Sequence, residues 1–319
     1  MISVVMPAFN AEQFLAPAIE SILGQTYRDF ELVIVDDGSS DHTPDIARAY
    51  ASQDGRVRLI AGQRLGQARA RNLGLAEAKN PWIAVMDADD IALPERLDMQ
   101  LRMAAADPEV VVWGSAAYHV GVDGQVLSLF RSGPCSKDEF MAMRGRAEII
   151  QVIHSTAFYR RDLALQIGGY DCGFSVAGDA EFFDRMALHG CILSLPAPLL
   201  KYRLHGSSQT VVRFREQQRN ARYVRDRQRR RLLGEPPITL AAFAEQLDQE
   251  SAWNRFRRWQ EDMEDLFYIE AGTAFGQHRP LQAAHYFLLS LLINPFFAIP
   301  KLWKSRFSAA SRSAIHVSA

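Results

Sequence analysis

The sequence predicts an α/β fold in which a mostly parallel β-sheet is covered by helices on both faces and is followed by a helical region. Two patterns carry this prediction. Short β-branched runs alternate with helix-period segments over the first 115 residues, and this alternation is typical of a parallel sheet. The runs are also apolar on both faces, as buried parallel strands are.

The elements follow one another in a regular order. The predicted strands are ISVVM at 2–6, ELVIVD at 31–36, RVRLI at 56–60, WIAVMD at 82–87 and VVVWG at 110–114. The predicted helices are 11–24, 41–53 (with Ser and Asp caps in SSDHTPDIA), 67–78 and 94–106. From 115 to 205 the pattern is mixed, with GGYD at 168–171 as a turn, a helix at 178–190 and two short strands flanking PAP at 196–198.

The composition is that of an ordinary globular protein, with 48% hydrophobic and 23% charged residues among 319. A net charge of −1 excludes a global attraction to nucleic acid or to an acidic surface. The three cysteines contain no C-x-x-C pair, which favours neither a disulfide framework nor a zinc site and indicates a reducing compartment. The opening MISVVMPAFN lacks a basic n-region and is predicted to be a strand, not a signal peptide. We therefore expect a cytoplasmic protein.

Polar segments follow the first, second and fourth strands, where α/β sheets bind ligands. Asp36 and Asp37, in VIVDDGSSD, are placed to accept hydrogen bonds from a nucleotide base or ribose. Pro7 and Asn10 would wall the same crevice. The alternative is turn chemistry, because Asp-Gly-Ser is a common turn sequence.

Three acids, Asp87, Asp89 and Asp90, stand where the fourth strand ends. If the chain stays extended, Asp87 and Asp89 point the same way and Asp90 faces elsewhere. Paired carboxylates suit Mg²⁺ or Mn²⁺, which leave their remaining positions to water and substrate phosphates. Helix capping is an alternative for Asp90, but it does not explain three acids.

These segments resemble, in order and spacing, family 2 glycosyltransferases of the GT-A fold. The resemblance rests on VVMPAFNAEQFLAPAIESILGQTY, FELVIVDDGSSDHT, GQARARNLGLAEA and WIAVMDADDIALPERL, and continues more loosely through HSTAFYRR, GGYD and GDAEFF to about residue 208. It implies inverting transfer of a sugar from a nucleotide-sugar, usually UDP- or dTDP-linked, to a hydroxyl of a glycan or lipid-linked acceptor in surface polysaccharide or glycoconjugate biosynthesis. It also implies a GT-A domain at 1–208, with a donor half at 1–115 and an acceptor half at 116–208, before a helical region at 209–319.

The resemblance also implies roles for single residues. Asp37 corresponds to the acid that binds the base, Asp89 to the main metal ligand in the D-x-D motif, and Asp87 to a ribose or metal-side ligand. Arg71 falls in the donor-pocket segment, and Asp179 matches the catalytic base.

At the catalytic position the sequence departs from its relatives, because many of them have Glu-Asp where this chain has Gly178-Asp179. We therefore expect Asp179 to be the base, with Glu181 as the fallback. A carboxylate in a partly dry pocket suits proton removal from an incoming hydroxyl. Capping of the helix that follows is the alternative for Asp179.

Three further residues are weaker candidates. Arg203 and His205, in YRLHGSSQT, would close the donor site, with Arg203 reaching a phosphate. His154 would touch the acceptor or form part of the sheet floor. Residues near 206–215 are predicted to form a lid that orders over bound donor.

Two C-terminal segments suggest peripheral membrane contact. The stretch 201–231 holds eleven Lys or Arg against two acids, which indicates either a solvated helix face or a site for anionic lipid headgroups or a lipid-linked phosphate. YFLLSLLINPFFAIPKLW at 286–303 is apolar but broken by Asn294, Pro295 and Pro300, and is too interrupted to span a bilayer. It either packs internally or lies in the interface at the inner face of the cytoplasmic membrane.

Other functions fit the sequence less well. A sugar nucleotidyltransferase needs a Gly- and Arg-rich phosphate loop after the first strand, where this chain has PAFNAEQ, and no G-x-G-x-x-G supports a dehydrogenase. A non-catalytic binding or scaffold protein of the same fold stays open as an alternative. Nucleic-acid binding is not expected, since the basic run lacks interleaved aromatic residues.

Overall fold

The computed structural model describes residues 1–205 and 213–294. It confirms the predicted α/β fold. The strands are β1 (Ile2–Ala8), β2 (Phe30–Asp36), β3 (Val57–Ala61), β4 (Trp82–Val85), β5 (Ile91–Ala92), β6 (Val110–Val120), β7 (Val126–Phe130), β8 (Phe158–Arg160) and β9 (Cys191–Arg203).

The helices confirm the four predicted between the first five strand runs and extend to the C-terminal region. They are α1 (Leu15–Leu23), α2 (Thr43–Gln53), α3 (Gln67–Glu77), α4 (Arg96–Ala106), α5 (Lys137–Gly145), α6 (Arg161–Gln166), α7 (Gly178–Met186), α8 (Phe214–Leu233), α9 (Leu240–Asp248), α10 (Ala252–Gly276) and α11 (Pro280–Ile293). A single 3-10 turn, His154–Thr156, precedes β8.

The sheet of the described residues has the order β3–β2–β1–β4–β8–β6–β9–β5, and β7 pairs with β6. The first four strands run parallel. By contrast, β8 is antiparallel to β4 and β6, and β5 is antiparallel to β9. The carboxyl ends of β1, β2 and β4 therefore meet at one edge, as the sequence predicts.

The core lies between this sheet and its helices. Leu32, Val33, Ile34 and Val35 of β2 are fully buried, and burial of such side chains contributes about 1.5–3 kcal/mol each. Helix α3 approaches β1 closely at Gly74, where an added Cβ would lie 2.4 Å from Val5 Cγ1. The glycine at this position therefore allows α3 to pack closely against β1.

The prediction of two short strands flanking PAP was wrong, because β9 runs unbroken through Pro196 and Pro198. Strand β5 pairs with β9 at Leu200 and Lys201. The two prolines lie outside that pairing, where β9 has the character of an edge strand. Proline is tolerated in a strand at positions where its missing N–H breaks no ladder hydrogen bond.

By compactness the chain divides into two units. The first comprises Met1–Ala117 and Arg131–Tyr202, and the second comprises Tyr118–Phe130 and the chain from Arg203 onward. The donor and acceptor halves expected at 1–115 and 116–208 stay a prediction, since compactness does not say which residues bind which substrate.

Among the described residues, the second unit consists mainly of the helices α8 to α11, together with β7 and the end of β6. In α8 several arginines of the basic run are paired, with Arg222 Nη2 2.7 Å from Asp262 Oδ1 and Arg230 Nε 2.6 Å from Asp226 Oδ2. Within 1–205 and 213–294, no helix combines the length and apolar character needed to cross a bilayer. Residues 206–212 of the expected lid, and 295–303 of the apolar segment, lie outside the described residues.

Candidate active site

The loops after β2 and β3 are joined by Asp37. Its Oδ1 accepts a hydrogen bond from the Leu65 N–H at 2.6 Å, and its Oδ2 accepts one from the Gly66 N–H at 2.9 Å. The Asp37 N–H in turn donates to the Ala8 carbonyl at 2.8 Å. A carboxylate has about four lone-pair sites, so Asp37 keeps acceptor capacity for a ligand.

The loop after β1 is tied to the same edge through Asn10. The Asn10 Oδ1 accepts from the Ser40 N–H at 2.9 Å, and Asn10 itself has a left-handed φ of 48°. Asp36 Oδ1 accepts from the Ser39 N–H at 3.3 Å, which is the turn chemistry that the sequence left open. Pro7 lies in β1 beside Val35.

An exposed aromatic ring lies on this loop, and the sequence did not single it out. Phe9 is 47% exposed, and the Arg64 guanidinium lies 5.7 Å from its ring centroid. Phe9 therefore offers a flat apolar face beside the strand ends. The signal was an aromatic residue inside an otherwise polar post-strand loop.

The acid-rich segment after β4 turns instead of staying extended. The turn is at Ala88 and Asp89, and the Asp90 N–H lies 3.4 Å from the Asp87 carbonyl. Asp87 and Asp89 are nevertheless half-buried while Ala88 and Asp90 are buried. The extended backbone that would point Asp87 and Asp89 the same way is therefore not formed here, and their shared role as metal ligands stays a prediction.

Three side chains surround the Asp87 carboxylate. Ser155 Oγ donates to Oδ2 at 2.7 Å, whereas Arg71 Nη2 and His154 Nδ1 lie 3.6 Å and 3.9 Å from Oδ1. Burial favours a raised pKa for Asp87, but His154, the Arg71 charge and the Ser155 hydroxyl outweigh it and lower that pKa well below its usual range. Asp87 is therefore a carboxylate held in place from α3 and from the 3-10 turn.

A buried chain of hydroxyl groups lies behind His154. Its Nε2 is 3.0 Å from the Tyr170 hydroxyl, which is 3.2 Å from the Tyr159 hydroxyl. The Arg71 guanidinium lies 5.5 Å from the Tyr170 ring centroid. Burial raises the pKa of Tyr170 to about 12, so its hydroxyl stays protonated and fixes the orientation of the His154 ring.

The GGYD turn is fastened to α3 by Asn72. The Asn72 Nδ2 donates to the Tyr170 carbonyl at 2.8 Å, and its Oδ1 accepts from the Tyr170 N–H at 2.7 Å. At Gly169, with a φ of 69°, an added Cβ would lie 2.4 Å from Asn72 Oδ1. The ARN segment thus positions both the guanidinium of Arg71 and the ring of Tyr170.

A fully buried cation, Arg96, lies beneath the acids. Its Nη2 donates to the Val85 carbonyl at 2.6 Å and its Nε donates to Gln100 Oε1 at 3.1 Å. Burial lowers the pKa of Arg96 to about 10, although the negative charges of Asp90 and Asp87 act to raise it. An arginine in the first turn of a helix is unfavourable for the helix dipole, and that was the signal in the sequence.

The buried hydroxyl of Tyr202 feels the charge of acids from two distant segments of the chain. Burial raises the pKa of the Tyr202 hydroxyl, and negative charge from four carboxylates raises it further. Those carboxylates are Asp90, Asp89, Asp87 and Asp179. Asp179 and the D-x-D segment therefore act on the same hydroxyl, although about 90 residues separate them in the chain.

Asp179 and Glu181 differ in their surroundings. Glu181 is buried. Its Oε1 accepts a hydrogen bond from Arg185 Nε at 2.8 Å, and its Oε2 accepts one from Arg185 Nη2 at 2.6 Å. Asp179 is half-buried, and across the described ranges no hydrogen bond or ion pair engages its carboxylate. The cap residue of α7 is Ala177 and no side chain caps the helix, so the capping alternative for Asp179 is wrong.

Arg203 and His205 fall in the second unit. Arg203 Nη1 donates to the Val122 carbonyl at 2.8 Å and lies 3.4 Å from the Gly121 carbonyl. Their roles at the donor site stay predictions.

The sequence as a whole matches a known family. A model of glycosyl transferase family 2 matches residues 3–168, just over half of the chain. The chain belongs to glycosyl transferase family 2. An uncharacterized glycosyltransferase from Haemophilus influenzae is 27% identical to this family 2 chain over 236 residues, which cover 70% of the chain and 72% of the relative.

Solved structures of low identity share the fold. S. aureus TarS 1–349 in complex with UDP has a TM-score of 0.55 and 16% identity, over 96% of this family 2 chain and 93% of TarS 1–349. The mannosyltransferase PcManGT from Pyrobaculum calidifontis, in complex with GDP-Man and Mn²⁺, has a TM-score of 0.52 and 18% identity over 95% of this chain and 78% of its own. The predicted GT-A fold is confirmed.

Proposed function

We propose that this family 2 chain is an inverting glycosyltransferase. It transfers a sugar from a UDP- or dTDP-linked donor to a hydroxyl of a glycan or lipid-linked acceptor, in surface polysaccharide or glycoconjugate biosynthesis. The observation that carries the proposal is the match of residues 3–168 to glycosyl transferase family 2, and it is supported by the electrostatic effect that Asp89, Asp87 and Asp179 all exert on the Tyr202 hydroxyl. The UDP and GDP-Man complexes of the two fold neighbours support a nucleotide-linked donor.

The donor nucleotide would lie at the strand ends of β1 and β2. Asp37 accepts from the N–H groups of a base, with Asn10 and Asp36 on the ribose side. Phe9 supplies an aromatic face on which a base can stack. Arg71, whose Nε has no hydrogen-bond partner among the described residues, would donate to the diphosphate.

The acidic segment fits a hard divalent cation by the chemistry of its donors. Asp89 and Asp87 supply carboxylate oxygens, and Mg²⁺ or Mn²⁺ needs one or two of these beside water and phosphate oxygens. No group of three or more His, Cys, Asp or Glu suited to a metal occurs in 1–205 and 213–294, which is consistent with a site that the donor completes. When bound, such a cation offsets the negative charge of the departing diphosphate.

Asp179 would act as the base. As the acceptor oxygen bonds to the anomeric carbon, the bond from that carbon to the phosphate oxygen breaks, and the acceptor proton passes to the Asp179 carboxylate. One displacement from the face opposite the diphosphate inverts the configuration. Glu181 is less suited to this role because Arg185 occupies both of its oxygens.

The enzyme would act on the cytoplasmic side of a membrane, as a peripheral protein at its inner face. A lipid-linked acceptor would be reached there without a spanning helix. The apolar segment 286–303 was the predicted contact, and only its residues 286–294 are described.

The experiment is nucleoside diphosphate release from a panel of nucleotide-sugars, measured with Mn²⁺, Mg²⁺ or chelator. We expect release from a UDP- or dTDP-sugar that depends on the cation. Asp179→Asn should keep donor binding and lose transfer by about 10²-fold or more, since a general base contributes 10²–10⁴-fold.

The matched control is Asp138→Asn, since Asp138 holds the same second position in α5 and is exposed. Its activity should equal that of the unmodified chain. Failure to release diphosphate from any donor would favour the non-catalytic scaffold alternative.

A further inference from the structure

The first two turns of α10 carry three exposed aromatic side chains. Trp253, Phe256 and Trp259 are 66%, 50% and 45% exposed. Their rings stack in sequence, with centroids 5.9 Å and 5.8 Å apart. A spacing of three residues keeps them on one side of a helix. We call these three residues the aromatic face. Contiguous exposed apolar surface of this kind marks a binding site.

Arginines dominate the charge of the segment that carries the aromatic face, between Glu250 and Glu261. Residues 251–260 contain Arg255, Arg257 and Arg258 and no acid. At 3.6 residues per turn, positions 255 and 257 lie on opposite flanks of the aromatic stripe. Arg258 pairs with Glu250 and donates to the Leu247 carbonyl at 3.2 Å, so Arg255 and Arg257 are the cations that border the face.

The neighbouring helix also exposes apolar side chains. Helix α11 returns antiparallel to α10, with Gln260 Nε2 donating to the Ile293 carbonyl at 3.1 Å and Phe267 stacked on Tyr286. This pairing brings the end of α11 beside the turn that carries Trp259. Leu292 and Leu288 of α11 are 81% and 57% exposed.

We propose that the aromatic face binds the interface of an anionic lipid bilayer. Trp and Phe on one side of a helix, bordered by arginines, are the composition that lies at the boundary between headgroups and acyl chains. A second copy of this chain fits less well. A symmetric contact would place the same patch on both sides, and the arginines of 251–260 would then oppose one another with no acid to pair them.

The test is co-sedimentation of the full chain with vesicles of phosphatidylcholine alone and of phosphatidylcholine mixed with phosphatidylglycerol. We expect binding to the mixed vesicles, weakened by salt. The triple variant Trp253→Ala, Phe256→Ala and Trp259→Ala should lose that binding. Arg255→Gln with Arg257→Gln should weaken binding to anionic vesicles by roughly 30-fold, since each basic residue near such a surface contributes about 1 kcal/mol.

The matched control is a triple alanine variant of Met141, Leu165 and Leu188. These residues are apolar and exposed to a comparable degree, but lie in the first unit. It should bind vesicles as the unmodified chain does. Because none of these residues has a role in the proposed chemistry, diphosphate release from soluble donor without vesicles should be unchanged in all these variants, which keeps this test separate from that of the proposed function.

Two results would overturn the proposal. One is equal binding of the mixed vesicles by the unmodified chain and by the arginine variant, which is expected to fold whatever the aromatic variant does. The other is a dimer in light scattering that the aromatic variant converts to a monomer, which would assign the face to a second copy of the chain.

Discussion

Glu181 and Arg185, one turn apart on α7, form a bidentate ion pair in which each Glu181 carboxylate oxygen accepts a hydrogen bond from the Arg185 guanidinium. Arg185 also donates to the carbonyls of Ile167 and Gly169, each at 2.6 Å. This pair fastens α7 to the segment that precedes the GGYD turn. Asp179 lies two residues before Glu181 on the same helix, so the pair also fixes the helix turn that carries Asp179.

Glu181→Gln should therefore cost stability more than chemistry. Removing one partner of a buried ion pair leaves the other charge uncompensated, and here we expect a loss of about 3 kcal/mol in the free energy of unfolding, at the low end because Arg185 is partly exposed. Urea denaturation measures this loss. Asp179→Asn should leave the midpoint nearly unchanged. If Glu181→Gln instead keeps stability and abolishes transfer, the base is Glu181.

Asp37→Asn should weaken nucleotide binding. The amide group replaces one acceptor oxygen with a donor, so either the Leu65 or the Gly66 N–H loses its partner and the base loses a charged acceptor. We expect the Kd for the nucleotide, measured by calorimetry, to rise by about tenfold or more.

Asp54→Asn is the control for that substitution. Asp54 also accepts from a backbone N–H, that of Arg56 at 2.9 Å, but it lies before the start of β3. Equal Kd values for Asp37→Asn and Asp54→Asn would remove the base-binding role.

Tyr170→Phe should lower turnover through His154 and Asp87. The hydroxyl that fixes the His154 ring is lost, and with it the arrangement that keeps Asp87 ionised beside Arg71. We expect kcat to fall by roughly tenfold with a smaller change in donor KM, and the acid limb of the pH–rate profile to move to higher pH. Tyr50→Phe, which removes a hydroxyl bonded to Glu20 at the surface, should change neither. An unmoved acid limb in Tyr170→Phe would show that the tyrosine is merely structural.

The same tyrosine predicts a loss of stability in alkali. The pKa of Tyr170 is raised from 10.0 to about 12 by burial, so the unfolded chain ionises first as the pH rises. The stabilisation is complete below pH 10 and is lost as the pH rises toward about 12. The slope of unfolding free energy against pH in this window should be shallower in Tyr170→Phe. Identical slopes would contradict a buried, neutral Tyr170.

Much of the donor half follows from periodicity alone, because its strands and helices alternate locally. The short strands β5, β7 and β8 were missed, and β5 and β8 form only by antiparallel pairing with segments distant in the chain. The joint effect of Asp179 and Asp89 on Tyr202 likewise depends on the tertiary fold, which the spacing of residues in the sequence does not contain. Besides the signals at Phe9 and Arg96, the sequence held another that was not used, the Glu181 to Arg185 spacing of four residues, which is typical of a helical ion pair.

The most direct test of the account is calorimetric titration of UDP and dTDP into the chain and into Asp89→Ala, with and without Mn²⁺. We predict that the unmodified chain binds one of these nucleotides more tightly when Mn²⁺ is present. Asp89→Ala should bind it with the same weak affinity in both conditions, while keeping its thermal midpoint. Equal enhancement by Mn²⁺ in both proteins would contradict the central claim that Asp89 and its neighbours hold the cation and the donor diphosphate together.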